Sequence, residues 1–144
     1  MFRRIDDKVF ASPQIAIEDI AEARRLGVGM VINNRPEGES DDQVPGSEIE
    51  AAARAAGMDY VAIPVTHSGF SQTQLDAMRA ALDRAGDAPV LAYCRSGTRS
   101  TLLWALAEAK AGRNPAVISA AAAQAGYDVS PIRALLESLS AGAA

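Results

Sequence analysis

The spacing of apolar and polar residues along the chain predicts helices separated by short strands. Five segments have the periodicity of amphipathic helices, for example residues 49–56 and 75–85, where the apolar side chains fall on one side. Each of the five segments ends at a glycine, which readily takes the left-handed conformation favoured at a helix C-terminus. These glycines are Gly27, Gly57, Gly86, Gly112 and Gly126.

Polar residues mark the starts of several predicted helices. A serine followed three residues later by Glu or Gln is typical of a capping box. A polar residue directly before a proline is typical of an N-cap, with the proline at the first helical position. The four starts are Ser47 with Glu50, Ser71 with Gln74, Asn114 with Pro115, and Ser130 with Pro131. Together with the glycine ends, these signals predict about six helices.

Short β-branched and apolar runs lie between the early helices and predict strands. The runs are residues 28–33, 59–65 and 89–94, with a further extended stretch at 9–11. Alternating strands and helices require crossover connections, so the sheet should be mainly parallel and covered on both faces. We therefore predict an α/β fold with four to five strands flanked by about six helices. The irregular segment 36–46 is a candidate lid.

Composition and charge narrow the functional classes. The chain has 144 residues, so we expect a single domain over residues 1–144. Its net charge of -4 offers no broad positive field for nucleic acid or an anionic membrane. Its apolar runs are shorter than the about 20 residues of a membrane span, and its start lacks the apolar segment of a secretion signal, so we expect a cytoplasmic protein.

The single cysteine and single histidine limit the chemistry further. One cysteine excludes an internal disulfide, and one Cys with one His cannot build a Cys/His metal cage. We therefore expect neither a metal nor another cofactor.

Polar residues follow three of the predicted strands. These strand ends are Asn33-Asn34-Arg35, Thr66-His67-Ser68 and Cys94. In a parallel sheet, ligands bind beyond the carboxyl ends of the strands. We therefore expect the three segments to meet at one edge of the sheet.

Cys94 is the predicted nucleophile, because it lies between a strand and a turn that leads into a helix near Thr98. Backbone N–H groups of such a turn form a nest that binds an anion. Together with Arg95 and Arg99 they would stabilise a thiolate at neutral pH, and Arg99 can also hold an oxyanion with two parallel hydrogen bonds. The predicted anion contacts are Arg95, Ser96, Gly97, Thr98 and Ser100. The alternative is that Cys94 is a buried core residue and the arginines are solvated.

Other candidates have weaker support. His67 is a candidate proton donor or substrate contact, although a lone loop histidine is often merely polar. Arg35 would either hold substrate or pair with the acidic residues of the following loop. Asp41 and Asp42 are further candidate acids. We assign Trp104 to the core, because its helix is rich in Ala and Leu.

The chain resembles the cysteine-dependent phosphatase superfamily. More narrowly, it resembles the phosphatase-like domain of the beta-lactamase hydrolase-like proteins, a bacterial family also described as sulfur transferases. The resemblance covers about residues 5–110 and rests on residues 9–14, 31–36 and 60–65 and on Tyr93-Cys94-Arg95-Ser96-Gly97-Thr98-Arg99-Ser100. It implies the fold of the dual-specificity phosphatases.

Two departures from that superfamily bear on the reaction. Phosphatases of the superfamily have five residues between the nucleophilic Cys and the phosphate-binding Arg, whereas four separate Cys94 from Arg99. A shorter loop favours the small terminal sulfur of a persulfide over phosphate, and Cys-Arg-Ser-Gly-x-Arg-Ser is also common in rhodanese-like sulfurtransferases. Thr66 and His67 stand where many dual-specificity phosphatases carry a general-acid Asp, a proton donor that sulfur transfer does not need.

Three functions follow from these observations. In the first, which the sequence favours, Cys94 takes a sulfane sulfur from a small donor as a persulfide and passes it to an external thiol. In the second, Cys94 attacks the phosphorus of a small anionic substrate, Arg99 stabilises the equatorial oxygens, and His67 or a loop Asp supplies a proton. In the third, the chain is a non-catalytic anion-binding or thiol redox-sensing module.

Overall fold

Five strands form one mainly parallel sheet in the computed structural model, which describes residues 1–143. The strands are β1 (Arg3–Arg4), β2 (Val9–Ser12), β3 (Met30–Asn33), β4 (Asp59–Ala62) and β5 (Val90–Tyr93). Their order is β1-β2-β5-β3-β4; β1 pairs antiparallel with β2, and the other pairs are parallel. The predicted α/β fold is confirmed, and the last strand in the sequence lies in the middle of the sheet.

Helices cover both faces of the sheet. Within residues 1–143 the α-helices are α1 (Asp19–Arg25), α2 (Gly46–Ala55), α3 (Gln72–Ala85), α4 (Thr98–Lys110), α5 (Pro115–Gln124) and α6 (Arg133–Gly142). The helices α1 and α2 pack on one face, and α3 to α6 form the larger core on the other. None of the helices in this part of the chain has both the length and the apolar character needed to cross a bilayer.

Several predicted helix boundaries are confirmed. The five glycines predicted to end helices all have positive φ angles, between 61° and 99°. The Ser71 side chain accepts the Gln74 N–H at 3.3 Å, and the Asn114 side chain accepts the Ala116 N–H at 2.8 Å. Trp104 is fully buried in α4, as predicted.

The starts predicted at Ser47 and Ser130 are wrong. Helix α2 begins at Gly46, whose N–H donates to the Glu37 carboxylate at 2.6 Å, so an acid from the preceding loop takes the place of the serine cap. Ser130 begins a short 3-10 helix (Ser130–Ile132), and its N–H is accepted by Asp128 at 2.8 Å. The long helix α6 therefore begins after this turn.

The carboxyl ends of β2, β3 and β5 lie side by side. Tyr93 is paired in register with Ser12 on one side and Asn33 on the other. The Cys94 N–H donates to the Ser12 carbonyl at 3.3 Å, and the Asn34 N–H donates to the Tyr93 carbonyl at 2.8 Å. Cys94 thus begins its loop at the centre of this edge of the sheet.

Candidate active site

Cys94 directly follows β5 and is 0% exposed. The Gly97 N–H donates to its sulfur at 3.1 Å. The pKa of the Arg99 guanidinium is raised, first by its hydrogen bond to Glu39 and also by the nearby Cys94 sulfur. An ordinary core cysteine would be equally buried but would not face an N–H group and a guanidinium, so these contacts favour a nucleophile.

The loop that follows Cys94 comprises residues 95–97 and is called the Cys94 loop. Hydrogen bonds of the loop and of the first turn of α4 hold it in place. Gly97 has a φ of +94°, a conformation that favours glycine, and its carbonyl accepts the Thr101 hydroxyl at 2.9 Å. The Thr98 N–H donates to the Ser96 side-chain oxygen at 3.3 Å. Both N–H groups were predicted to face an anion. The Gly97 N–H instead points at the Cys94 sulfur, and the Thr98 N–H points at the Ser96 side chain.

Arg99 is held from one end of its guanidinium. Its Nη1 and Nη2 atoms each donate to the Glu39 carboxylate at 2.8 Å, and Nη1 also donates to the Val65 carbonyl at 2.7 Å. Within residues 1–143, none of the hydrogen bonds of Arg99 to Glu39 and Val65 uses Nε, and the Cys94 sulfur lies close to the guanidinium. The side of the guanidinium formed by Nε–H and the second Nη2–H can therefore bind two oxygens of an oxyanion.

Glu39 joins Arg99 to Arg35. Its carboxylate accepts from Arg99 and also from the Arg35 Nε atom at 3.0 Å. The pKa of Glu39 is lowered to about 2, mainly by the hydrogen bond from Arg99. Burial would raise this pKa, but the hydrogen bond from Arg35 lowers it further. Glu39 therefore remains ionised and holds both arginines in place.

Replacing Glu39 with Gln tests this arrangement. Because the pKa of Glu39 falls from its ordinary 4.5 to about 2 in the folded protein, its ionised form stabilises the fold above pH 4.5, and this stabilisation is lost as the pH falls toward 2. We expect Glu39→Gln to lower the free energy of unfolding at pH 7 by on the order of 2 kcal/mol. The difference from the wild type should be clearly smaller at pH 3.

Urea unfolding at the two pH values measures both free energies. The matched control is Glu50→Gln, because Glu50 pairs with Arg54 at 3.0 Å on an exposed helix surface, where an ion pair contributes little. An unchanged stability of Glu39→Gln, or a loss that is the same at pH 7 and pH 3, would contradict the assignment.

Arg35 is 5% exposed, and each of its donor nitrogens has a partner. Besides Glu39, it donates to the Gln14 side-chain oxygen at 2.9 Å and to the Ser40 hydroxyl at 3.0 Å. Of the two roles predicted for Arg35, the structure favours pairing with the loop over holding substrate.

Ser100 was predicted from its place in the motif to contact an anion, but its side chain is engaged inside the protein. It is 1% exposed, and its hydroxyl donates to the Asn34 side-chain oxygen at 2.7 Å. Asn34 in turn donates to the Ile63 carbonyl at 2.9 Å. Ser100 therefore ties the start of α4 to the segments that follow β3 and β4.

The remaining candidates are exposed. Arg95, Asp41 and Asp42 lie on the surface, and His67 lies in an exposed turn two residues after Val65, whose carbonyl accepts from Arg99. The hydrogen bond from Ser40 lowers the pKa of Asp42, which disfavours Asp42 as a proton donor at neutral pH.

Two contacts of the site were not predicted from the sequence, that of Glu39 with Arg99 and that of Tyr127 with the loop after Cys94. Glu39 carries one signal, since an acid four residues after Arg35 is a common ion-pair spacing. Tyr127, whose hydroxyl donates to the Ser96 carbonyl at 3.2 Å, has no signal in the sequence. Within residues 1–143, no three His, Cys, Asp or Glu side chains are arranged to hold a metal ion.

Comparison with known proteins supports the resemblance. The family model described as beta-lactamase hydrolase-like protein, phosphatase-like domain, matches residues 1–111. A beta-lactamase hydrolase-like protein of Agrobacterium fabrum is 36% identical over 110 residues, which are 76% of this chain. Those residues are 25% of the relative, so the chain spans about a quarter of the length of the curated relatives it matches.

Solved structures support the fold. The crystal structure of a putative phosphatase from Neisseria meningitidis Z2491 has a TM-score of 0.81 and 31% identity, over 95% of this chain and 96% of that chain. PTPMT1 has a TM-score of 0.73 at 16% identity, over 99% and 98% of the two chains, and shares the fold alone. The predicted dual-specificity-phosphatase-like fold is confirmed.

Proposed function

The chain belongs to the family of phosphatase-like domains of beta-lactamase hydrolase-like proteins, and from that premise we propose that it hydrolyses phosphate monoesters through Cys94. One observation carries the proposal. The Gly97 N–H and the Arg99 guanidinium both lie against the Cys94 sulfur, at the carboxyl edge of a phosphatase-like sheet. A small phosphorylated molecule matches the charge of this site.

The reaction has two steps. The Cys94 thiolate attacks phosphorus, so that an S–P bond forms while the bond from phosphorus to the ester oxygen breaks, and the alcohol leaves with a proton. The side of the Arg99 guanidinium formed by Nε–H and the second Nη2–H stabilises the equatorial oxygens, and the hydrogen bonds to Glu39 hold the guanidinium in place. Water then attacks the phosphocysteine, releases phosphate and restores the thiolate.

The leaving alcohol needs a proton, and the chain has Thr66 and His67 where a general-acid Asp would stand. We assign the proton donation to His67, which lies beside the segment that holds Arg99 and is open to solvent. Aryl phosphates, whose leaving groups need little protonation, should be better substrates than alkyl phosphates.

Sulfur transfer is the second candidate, because four residues rather than five separate Cys94 from Arg99. The sequence favours sulfur transfer, whereas the family match and the structural likeness favour the phosphatase. A persulfide on Cys94 would need an external thiol acceptor, since the chain has one cysteine.

A paired assay separates the candidates. The purified protein and its Cys94→Ser variant are tested for hydrolysis of an aryl phosphate and for thiocyanate formation from thiosulfate and cyanide. We expect phosphate release that depends on Cys94, and no thiocyanate above the level of the variant. Thiocyanate without phosphate release would replace the proposal with sulfur transfer. Anion binding with neither product would favour the non-catalytic module.

A further inference from the structure

Tyr127 contacts the Cys94 loop from outside the region that the family model matches. It lies between α5 and the short 3-10 helix, whereas the match ends at residue 111. Its hydroxyl donates to the Ser96 carbonyl at 3.2 Å, and the end of its ring fills the space that a Cβ on Gly97 would occupy. Tyr127 therefore touches the loop at the peptide bond between Ser96 and Gly97.

That same peptide bond faces the nucleophile. Its carbonyl oxygen, from Ser96, accepts from Tyr127, and its N–H, from Gly97, donates to the Cys94 sulfur at 3.1 Å. In a planar trans peptide the C=O and N–H groups point in opposite directions, so a contact that fixes the oxygen also fixes the N–H. A hydrogen bond to the carbonyl also polarises the peptide and strengthens its N–H as a donor.

Tyr127 is itself held in place. The Arg3 guanidinium lies over its ring, 5.8 Å from the centroid, and donates to the Ala125 carbonyl at 3.0 Å. Burial is the main cause that raises the pKa of Tyr127, so the hydroxyl keeps its proton at neutral pH and can donate it to the loop. The edge strand β1 thus supports the segment that carries Tyr127.

We propose that Tyr127 is a positioning residue that directs the Gly97 N–H at the Cys94 thiolate. It acts through the peptide bond and does not touch substrate. The effect on turnover rests on the proposed phosphatase function, whereas the effect on the thiolate can be measured without any substrate.

Tyr127→Phe tests the proposal, because it keeps the ring and removes the hydroxyl. The thiolate is followed by its ultraviolet absorbance against pH, with the matching Cys94→Ser protein as the baseline; since the chain has one cysteine, the signal reports Cys94 alone. We expect the midpoint of this titration to rise by about half to one pH unit, equivalent to about threefold to tenfold. At a pH below both midpoints, where kcat follows the thiolate fraction, the kcat for an aryl phosphate should fall by a similar factor with an unchanged KM.

Tyr60→Phe is the matched control, because it removes a buried hydroxyl that contacts Asn33 at 3.0 Å and not the Cys94 loop. An unchanged midpoint in Tyr127→Phe, or an equal shift in Tyr60→Phe, would overturn the proposal. If the wild type shows no phosphatase turnover, the proposed function fails, while the titration still decides the role of Tyr127.

Discussion

Replacing Cys94 with Ser is expected to lower the kcat for an aryl phosphate by at least about a thousandfold. The serine hydroxyl remains protonated at neutral pH and is a poor nucleophile without an adjacent base, and the described contacts of Cys94 include no such base. The exchange of sulfur for oxygen is small in a fully buried position, so the fold should be retained. Steady-state kinetics of both proteins measure the loss.

Two further measurements on the Cys94→Ser variant make the result specific. Its thermal unfolding midpoint should stay within a few degrees of the wild type, and it should still bind inorganic phosphate, because Arg99 and the Gly97 N–H remain. A variant that is folded and retains activity within about tenfold of the wild type would show that Cys94 is not the nucleophile.

Replacing Arg99 with Lys is expected to lower kcat/KM by about a hundredfold or more. Arg99 uses one end of its guanidinium for Glu39 and Val65 and leaves its side for an oxyanion. A lysine ammonium is a point charge and cannot make both sets of contacts at once. The loss should be largest in kcat, because the equatorial oxygens are held most tightly in the transition state.

Arg84→Lys is the matched control for this prediction. Arg84 pairs with Asp59 at 2.9 Å on the exposed surface, so its replacement should leave kcat and KM unchanged. Kinetics of Arg99→Lys within threefold of the wild type would remove Arg99 from the site.

The fold could be predicted wherever neighbouring residues determine it. The Ser71 cap and the glycines that end helices each involve residues within about one helical turn, so they could be recognised in the sequence. The strand β1 was not predicted, because Arg3 and Arg4 form no apolar run and their pairing is with residues 10–11 of β2. The start of α2 was misplaced for the same reason, since its N–H partner, Glu37, lies nine residues earlier.

The part of the site that carries the nucleophile could be predicted because it is contiguous in the sequence. Cys94, Gly97 and Arg99 lie in one strand-loop-helix segment, so their residue types pointed to anion chemistry. The Glu39 contact with Arg99 spans 60 residues and the Tyr127 contact with Ser96 spans 31, distances over which the sequence gives no pairing signal.

Ser100 was predicted to belong to the anion site, although its side chain is engaged inside the protein. It follows Arg99 directly, so its place in the motif indicated an anion ligand. One residue along a helix turns a side chain by about 100 degrees, and the Ser100 hydroxyl consequently faces Asn34 inside the protein.

The most direct test of the account is to trap the phosphocysteine. The protein is mixed with an aryl phosphate, quenched with acid during turnover and digested, and the peptide that contains Cys94 is weighed by mass spectrometry. We predict a peptide that is heavier by one phosphoryl group, and no such species in Cys94→Ser. Steady phosphate release with Cys94 unmodified, or a Cys94 peptide that carries only an added sulfur atom, would contradict the account.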